Sequence, residues 1–201
     1  MFTGIIESLG IIKGITEKGT NKTFVLSCGF TAELKIDQSL AHNGVCLTVD
    51  GLFDDGTYSV TAIKETLERT NLGTLQIGHA VNLERCMPMN GRIDGHIVQG
   101  HVDTTGTCRA INEKDGSWEC IFTYNDQDKT EYLTVEKGSI CVNGVSLTVV
   151  RSEKGLFSVH IIPYTFEHTS FKTLKAGDAV NLEFDIIGKY VAKLGVFNLK
   201  I

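Results

Sequence analysis

Apolar positions along this chain fall in short runs, partly alternating with polar ones, as half-buried strands require. Thr23–Cys28, Val45–Asp50, Thr57–Ala62 and Ala80–Arg85 are rich in β-branched residues, and Gly, Asn and Asp clusters separate them at hairpin-like spacing. Asn43-Gly44 and Asn143-Gly144 predict tight turns, because both residue types tolerate positive φ. Thr66 and Thr165 are placed to cap one helical turn ahead of Asn71 and Ser170. Near the end the period changes. Ile186, Ile187, Tyr190, Val191 and Leu194 recur at helical spacing and predict a short amphipathic helix. That helix either packs on its own barrel or meets the same helix of neighbouring subunits.

An internal repeat organises these segments. Asn43-Gly44-Val45-Cys46-Leu47-Thr48-Val49 returns 100 residues later as Asn143-Gly144-Val145-Ser146-Leu147-Thr148-Val149, with one position of seven changed. Thr66 to Glu84 matches Thr165 to Glu183 at an offset of 99, with eleven of nineteen positions identical. Gly4-Ile5-Ile6-Glu7 aligns more weakly with Gly100-His101-Val102-Asp103. A unit of this length is too long for a solenoid repeat and reads as a whole domain, duplicated. The expected organisation is 1–90, 91–186 and a helical segment 187–201, with the join near Met87–Gly95, which holds one of the two prolines. Several short strands per unit predict an all-β chain of two small closed barrels, since closure removes exposed sheet edges.

Composition narrows the function. Of 201 residues, 42% are apolar and 21% charged, an ordinary globular balance. The net charge is −5 and no basic block stands out, so the electrostatic footprint of a nucleic-acid binder is missing. No apolar run reaches the ~18 to 20 residues of a membrane span. The opening segment lacks the pattern of a signal peptide, and the expected location is cytoplasmic. Six cysteines (28, 46, 86, 108, 120 and 141) show no zinc spacing and read mostly as small buried hydrophobes. Walker A, G-x-G-x-x-G and G-x-S-x-G patterns are absent, so nothing demands a nucleotide cofactor, pyridoxal phosphate or a metal.

Candidate chemistry lies where the copies differ. With Leu47 and Leu147 facing the core, Cys46 and Thr48, like Ser146 and Thr148, share the opposite strand face. Two short hydrogen-bonding side chains there suit the polar edge of a planar ring; a buried Cys-to-Ser exchange is the plainer alternative. His101 replaces Ile5 and is a candidate acid or base, although a lone histidine is more often structural. His96 lies five residues earlier, and that odd spacing puts the pair on opposite faces of a strand, unsuited to sharing a metal. Asp185 replaces Cys86 after the repeated Asn-Leu-Glu and is a candidate to orient His101 or bind a hydroxyl; a solvated acid is the simpler alternative.

The opening Met-Phe-Thr-Gly-Ile-Ile, the duplicated Asn-Gly-x-Cys/Ser-Leu-Thr-Val, the Gly-His-x-x-x-Gly-His block at 95–101 and the twin segments around Thr66 and Thr165 together resemble the riboflavin synthase family, over residues 1 to about 190. The resemblance implies two six-stranded Greek-key β-barrels related by a pseudo-twofold, a C-terminal α-helix that helps build a homotrimer, and no cofactor. It implies the dismutation of two molecules of 6,7-dimethyl-8-ribityllumazine per site. A four-carbon unit passes between them, giving riboflavin and 5-amino-6-ribitylamino-2,4(1H,3H)-pyrimidinedione. It keeps lumazine synthase as a candidate partner. Carried across by position, one pocket takes Gly4, Ile5, Ile6, Cys46, Leu47, Thr48, Thr61, Ala62, Ile63, Lys64, Glu65 and Thr66. The other takes Gly100, His101, Val102, Lys137, Ser146, Leu147, Thr148, Ile162, Pro163, Tyr164, Thr165, Phe166 and Glu167. Cys46 and His101 are the main catalytic candidates, with Ser146, Thr148 and Asp185 assisting. Which group takes the C7-methyl proton, and what adds at C7, stay open. Two departures stand out: Tyr164 and Phe166 interrupt the usual Glu-Thr-Leu-Glu, and His168 stands where Arg or Lys is common. The competing classes are an antenna protein of the same fold that binds without turnover, and a flavin-dependent reductase, for which 201 residues leave no room for a nucleotide-binding partner domain.

Overall fold

The repeated heptapeptides fold as predicted, into hairpins, in the computed structural model, which describes residues 1–126, 129 and 131–198. Asn43 (φ 47°) and Gly44 (φ 79°) form a two-residue turn between β3 (Ser39–His42) and β4 (Val45–Leu52). Two consecutive positive φ values match the twist of the strands they join. Asn143 and Gly144 repeat the turn between β9 (Ser139–Val142) and β10 (Val145–Glu153).

Around each hairpin a closed antiparallel barrel forms. The first adds β1 (Ser8–Lys18), β2 (Asn21–Ser27), β5 (Tyr58–Ala62) and β6 (Ala80–Arg85), in the order β1-β2-β5-β4-β3-β6. The second adds β7 (Thr104–Lys114), β8 (Ser117–Tyr124), β11 (Leu156–Ile161) and β12 (Ala179–Phe184), in the matching order β7-β8-β11-β10-β9-β12. Sequence reading finds the counterparts of β2, β4, β5 and β6 but passes over β1 and β3. β1 mixes glycines and lysine into its pattern, and β3 is only four residues long.

Each barrel has its own core. Tyr58, Leu40, Leu83 and Val49 fill the first; Phe122, Phe157, Phe184 and Leu182 fill the second, all essentially inaccessible. Each such side chain contributes about 1.5–3 kcal/mol by leaving water. In the first barrel His42 is buried too, bonded to Tyr58 Oη at 3.0 Å, and burial lowers its pKa to about 4.

Two short helices, α1 (Lys64–Arg69) and α2 (Pro163–His168), occupy the positions expected of single turns. Their capping differs from expectation. Thr66 and Thr165 lie inside these helices, and the capping threonines are Thr70 and Thr169, whose hydroxyls accept from Leu72 and Phe171 N–H at the following 3₁₀ turns. α3 (Ile186–Asn198) is the C-terminal helix; residues 199–201 of the expected segment lie outside the described residues. Its residues Ile187, Tyr190, Val191 and Leu194 are each more than 60% exposed, so they do not pack on the chain's own barrel.

The two barrels meet across the pseudo-twofold through buried asparagines. Asn82 donates to the Asn143 carbonyl (2.8 Å), and Asn181 donates to that of Asn43 (2.9 Å). A Cβ on Gly44 would sit 2.8 Å from Gly144 N, so only glycines allow the two turns to touch. Asn71 and Ser170 complete the network from the 3₁₀ turns. An interface of satisfied buried polar groups fixes one relative orientation, because any slip leaves several of them unpaired.

Candidate active site on two pseudo-equivalent strand faces

The alternation after each Asn-Gly turn delivers the predicted faces. Val45, Leu47 and Val49 are buried, while Cys46 is half-buried and Thr48 exposed; Val145, Leu147, Val149, Ser146 and Thr148 repeat the pattern residue for residue. Thr61 lies on the next strand and donates to Asp50 (2.6 Å), which also accepts from Ser59. Ala62 is buried in the first core, and Ile63, Lys64 and Glu65 form the exposed start of α1 with Thr66 half-buried behind them. Ile162, Pro163, Tyr164 and Glu167 are exposed around α2, while Thr165 and Phe166 turn inward. Phe166 stacks on Trp118 with centroids 4.0 Å apart. Tyr164 stacks on His168, the departing basic position, at 4.1 Å. Lys137 is exposed, in a left-handed turn whose N–H donates to the Val149 carbonyl.

One grouping made from sequence is overturned. Gly4, Ile5 and Ile6 precede the first barrel in the chain but dock on the second. Ser146 N–H donates to the Gly4 carbonyl (2.8 Å), and Ile6 packs against the second core. Gly100, His101 and Val102 cross the other way. Cys46 N–H donates to the Gly100 carbonyl (2.9 Å), and Val102 packs against the first core. The two arms exchange, and a short antiparallel bridge between Phe2 and Val98 marks the crossing. Gly4 (φ 79°) and Gly100 (φ 81°) are required at the contacts: a Cβ on either would lie 2.6 Å from the Cβ of Ser146 or Cys46 respectively. Position-by-position alignment cannot reveal this, since it assigns each arm to the barrel it adjoins in sequence.

Two buried carboxylates hold the arms. Glu84, on β6, accepts from Thr3 N–H (2.6 Å), Thr3 Oγ1 (2.9 Å) and Gly4 N–H (2.9 Å). Glu183, on β12, accepts from Gln99, Gly100 and His101 N–H at 2.6–2.9 Å. Burial raises both carboxyl pKa values, Glu183 to about 7, while the donated bonds pull the other way. Sequence reading used these acids only as markers of the repeat. The available signal was the spacing: Asn82 and Glu84 alternate with the core residues Val81 and Leu83, as Asn181 and Glu183 do with Val180 and Leu182, so the polar pair faces the join of the halves.

The reactive candidates sit unequally. Burial raises the Cys46 thiol, with a hydrogen bond from Ser39 on β3 partly offsetting it, so Cys46 is a neutral donor at neutral pH. His101 is exposed beside Gly100. Ser146 Oγ lies 2.7 Å from Nδ1 of the buried His96, a residue to which the sequence reading gives no role in the site. Asp185 accepts from Ile187 N–H (3.0 Å) at the start of α3, and its charge favours protonation of His96, against the larger lowering by burial. Among the described residues, Asp185 makes no hydrogen bond to His101. Among the described residues no group of three or more His, Cys, Asp and Glu is arranged to hold a metal, and no helix is long and apolar enough to cross a membrane.

Comparison with known proteins agrees with this duplicated architecture. The lumazine binding domain family matches twice, at residues 3–86 and 99–185. The riboflavin synthase of Actinobacillus pleuropneumoniae is 43% identical over 95% of this chain and 88% of its own. That of Mycobacterium bovis is 41% identical over 96% and 98%. Among solved structures, LumP complexed with 6,7-dimethyl-8-(1'-D-ribityl) lumazine superposes with a TM-score of 0.81 at 20% identity, over 92% of this chain and 99% of that one, a likeness of fold. With two lumazine-binding barrels and relatives above 40% identity along nearly its whole length, the chain belongs to the riboflavin synthase family.

Proposed function

We propose that the two exchanged-arm faces are the two lumazine half-sites of a riboflavin synthase. The enzyme is a transferase: one 6,7-dimethyl-8-ribityllumazine gives a four-carbon unit to a second, yielding riboflavin and 5-amino-6-ribitylamino-2,4(1H,3H)-pyrimidinedione. Donor and acceptor are the same compound, so the protein needs two similar surfaces that treat their occupants differently. The observation that carries this reading is the same burial alternation on Val45–Val49 and Val145–Val149, carrying different reactive groups, Cys46 against Ser146 on the strands and His101 against Ile5 on the crossing arms.

In the first half-site Cys46, Thr48, Thr61 and Thr66 line the face, with Gly100, His101 and Val102 supplied by the crossing arm. In the second, Ser146, Thr148, Thr165 and Lys137 line it, with Gly4, Ile5 and Ile6 supplied by the other arm. The methyl group at C7 of one lumazine loses a proton, and the resulting charge spreads into the ring. Neutral donors such as the Cys46 thiol and the Ser146 hydroxyl stabilise that charge without carrying one themselves. Holding both rings face to face supplies a further share, an effect that reaches about 7–11 kcal/mol in well-aligned systems.

The halves of a working site come from different subunits of a homotrimer in this reading. The exposed Ile187, Tyr190, Val191 and Leu194 of α3 support an assembly surface. Residues 1–90 and 91–186 are the binding units and 187–201 the assembly segment. A cytoplasmic location and docking on lumazine synthase belong to the same proposal. The exposed His101 and intact second copy favour turnover over antenna binding alone.

Complementation tests the arrangement. Cys46 and the His101 arm belong to one half-site, so mixing Cys46→Ser with His101→Ala chains restores nothing. Mixing His101→Ala with Ser146→Ala chains gives trimers in which about a quarter of the sites join two intact halves, if subunits mix at random. Riboflavin formation, followed by its visible absorbance, should rise above both parents only in the second mixture. Equal rises in both mixtures, or none in either despite mixed trimers, would defeat the proposal.

A further inference from the structure

We infer that His96 is a positioning residue for the second half-site, setting the direction of the Ser146 hydroxyl; this rests on the assignment of Ser146 to that half-site. The contact is short and enclosed. Nδ1 lies 2.7 Å from Ser146 Oγ, and the His96 residue is 8% exposed.

The segment that carries His96 is pinned by its backbone. The main-chain N–H of His96 donates to the Thr3 carbonyl (3.1 Å), extending the ladder between the crossing arms. Gly95 before it lies so close that an added Cβ would stand 2.9 Å from Ser146 Oγ and 2.8 Å from Ser146 Cβ. Ser146 therefore has the Gly95 backbone and the His96 ring close against its side chain, with one hydrogen bond of its hydroxyl committed to Nδ1.

A serine hydroxyl has one proton and two lone pairs. When Nδ1 accepts, the hydroxyl proton points at His96 and the oxygen offers only lone pairs to a ligand. When Nδ1 carries hydrogen, it donates to Oγ and the hydroxyl proton is free for a ring carbonyl or nitrogen. Burial lowers the His96 pKa, with the Asp185 carboxylate opposing, so the ring is neutral and its tautomer decides which of the two arrangements exists. At the matching position Cys46 has a hydroxyl partner, Ser39, instead of an imidazole. The same compound then meets a fixed weak donor on one face and a hydroxyl of adjustable polarity on the other. That inequality is what a reaction between two identical molecules requires of its protein.

A double-mutant cycle separates this role from a structural one. Ser146→Ala, His96→Leu and the pair are compared with the wild-type trimer for riboflavin formation, alongside His96→Asn, whose amide reaches the Nδ1 position. His96→Leu should lower kcat about tenfold, the loss of one buried hydrogen bond in the transition state. In the Ser146→Ala background the same change should cost less than about twofold, and His96→Asn should recover much of the loss. Full multiplication of the two single effects would overturn the inference and leave the half-site assignment standing. An active Ser146→Ala enzyme at wild-type rate would sink the half-site assignment and the inference together. Should His96→Leu fail to fold, ¹⁵N chemical shifts of the wild-type imidazole decide. Added riboflavin should shift the His96 nitrogens in the wild-type protein and not in Ser146→Ala; an unchanged signal in both would refute the coupling.

Discussion

Replacing Gly100 with alanine tests whether arm exchange builds the first half-site. The added Cβ would stand 2.6 Å from Cys46 Cβ and 2.8 Å from the Phe2 ring. Carbon atoms in good contact are about 3.5–4.0 Å apart, so the arm must retreat by roughly 1 Å. Overpacking of this kind costs about 1–3 kcal/mol, and the left-handed backbone at φ 81° adds about 1–2 kcal/mol for a residue with a side chain. The retreat also breaks the Cys46-to-Gly100 hydrogen bond and misaligns the bonds to Glu183. A displacement of that size in an alignment-dependent reaction lowers kcat/KM by about a hundredfold. Gly78→Ala is the control. Gly78 has a comparable φ of 90° but open space where its Cβ would go, so it carries the backbone strain without the clash. Both variants should lose thermal stability, and only Gly100→Ala should lose turnover, assayed as riboflavin formation by the folded protein. A folded Gly100→Ala enzyme with more than half of wild-type kcat/KM would refute the reasoning, and so would equal losses in the two variants.

Two further outcomes follow from the electrostatics. Glu183 has a folded pKa near 7 against an ordinary 4.5, so the folded state binds its proton more tightly. Stability from this group is present below pH 4.5 and falls as pH rises to about 7, by up to ~3 kcal/mol. Glu183→Gln should remove that slope in urea midpoints between pH 4.5 and 7. The opposite slope from His42 is common to both proteins and cancels in the difference; an unchanged slope would show that Glu183 is ionised throughout. Asp185→Ala removes the acceptor for Ile187 N–H and should cost α3 about 1 kcal/mol. Lower helical circular dichroism and weaker self-association by native mass are expected, with Asp185→Asn largely normal; equal loss in both variants would assign Asp185 a role beyond capping.

The repeat made most of the fold legible. Two hairpins with the same Asn-Gly turn and the same burial alternation follow from seven residues seen twice, and the polar faces of Cys46–Thr48 and Ser146–Thr148 follow from the strand period. What stayed hidden is non-local. Gly4 adjoins the first barrel in the chain, and no periodicity tells that its carbonyl meets Ser146 N–H. Spacing along one strand leaves His96 idle, whereas His96 lies between the strands β6 and β7 and its partner is 50 residues away on β10. Glu84 and Glu183 were visible as repeated letters, but their work depends on backbone N–H groups of the opposing arm, which no side-chain pattern encodes.

The crossing of the two leaders has an evolutionary corollary. A single unit of this kind, associating with its twin, would lend its leader to the neighbour and receive the neighbour's in return, leaving both binding faces identical. Joining two units in one polypeptide frees each face to drift by itself, while the reciprocal loan keeps them locked in a common frame. Thiol and hydroxyl, aliphatic chain and imidazole can then part company on opposite sides of one molecule without either side losing its wall.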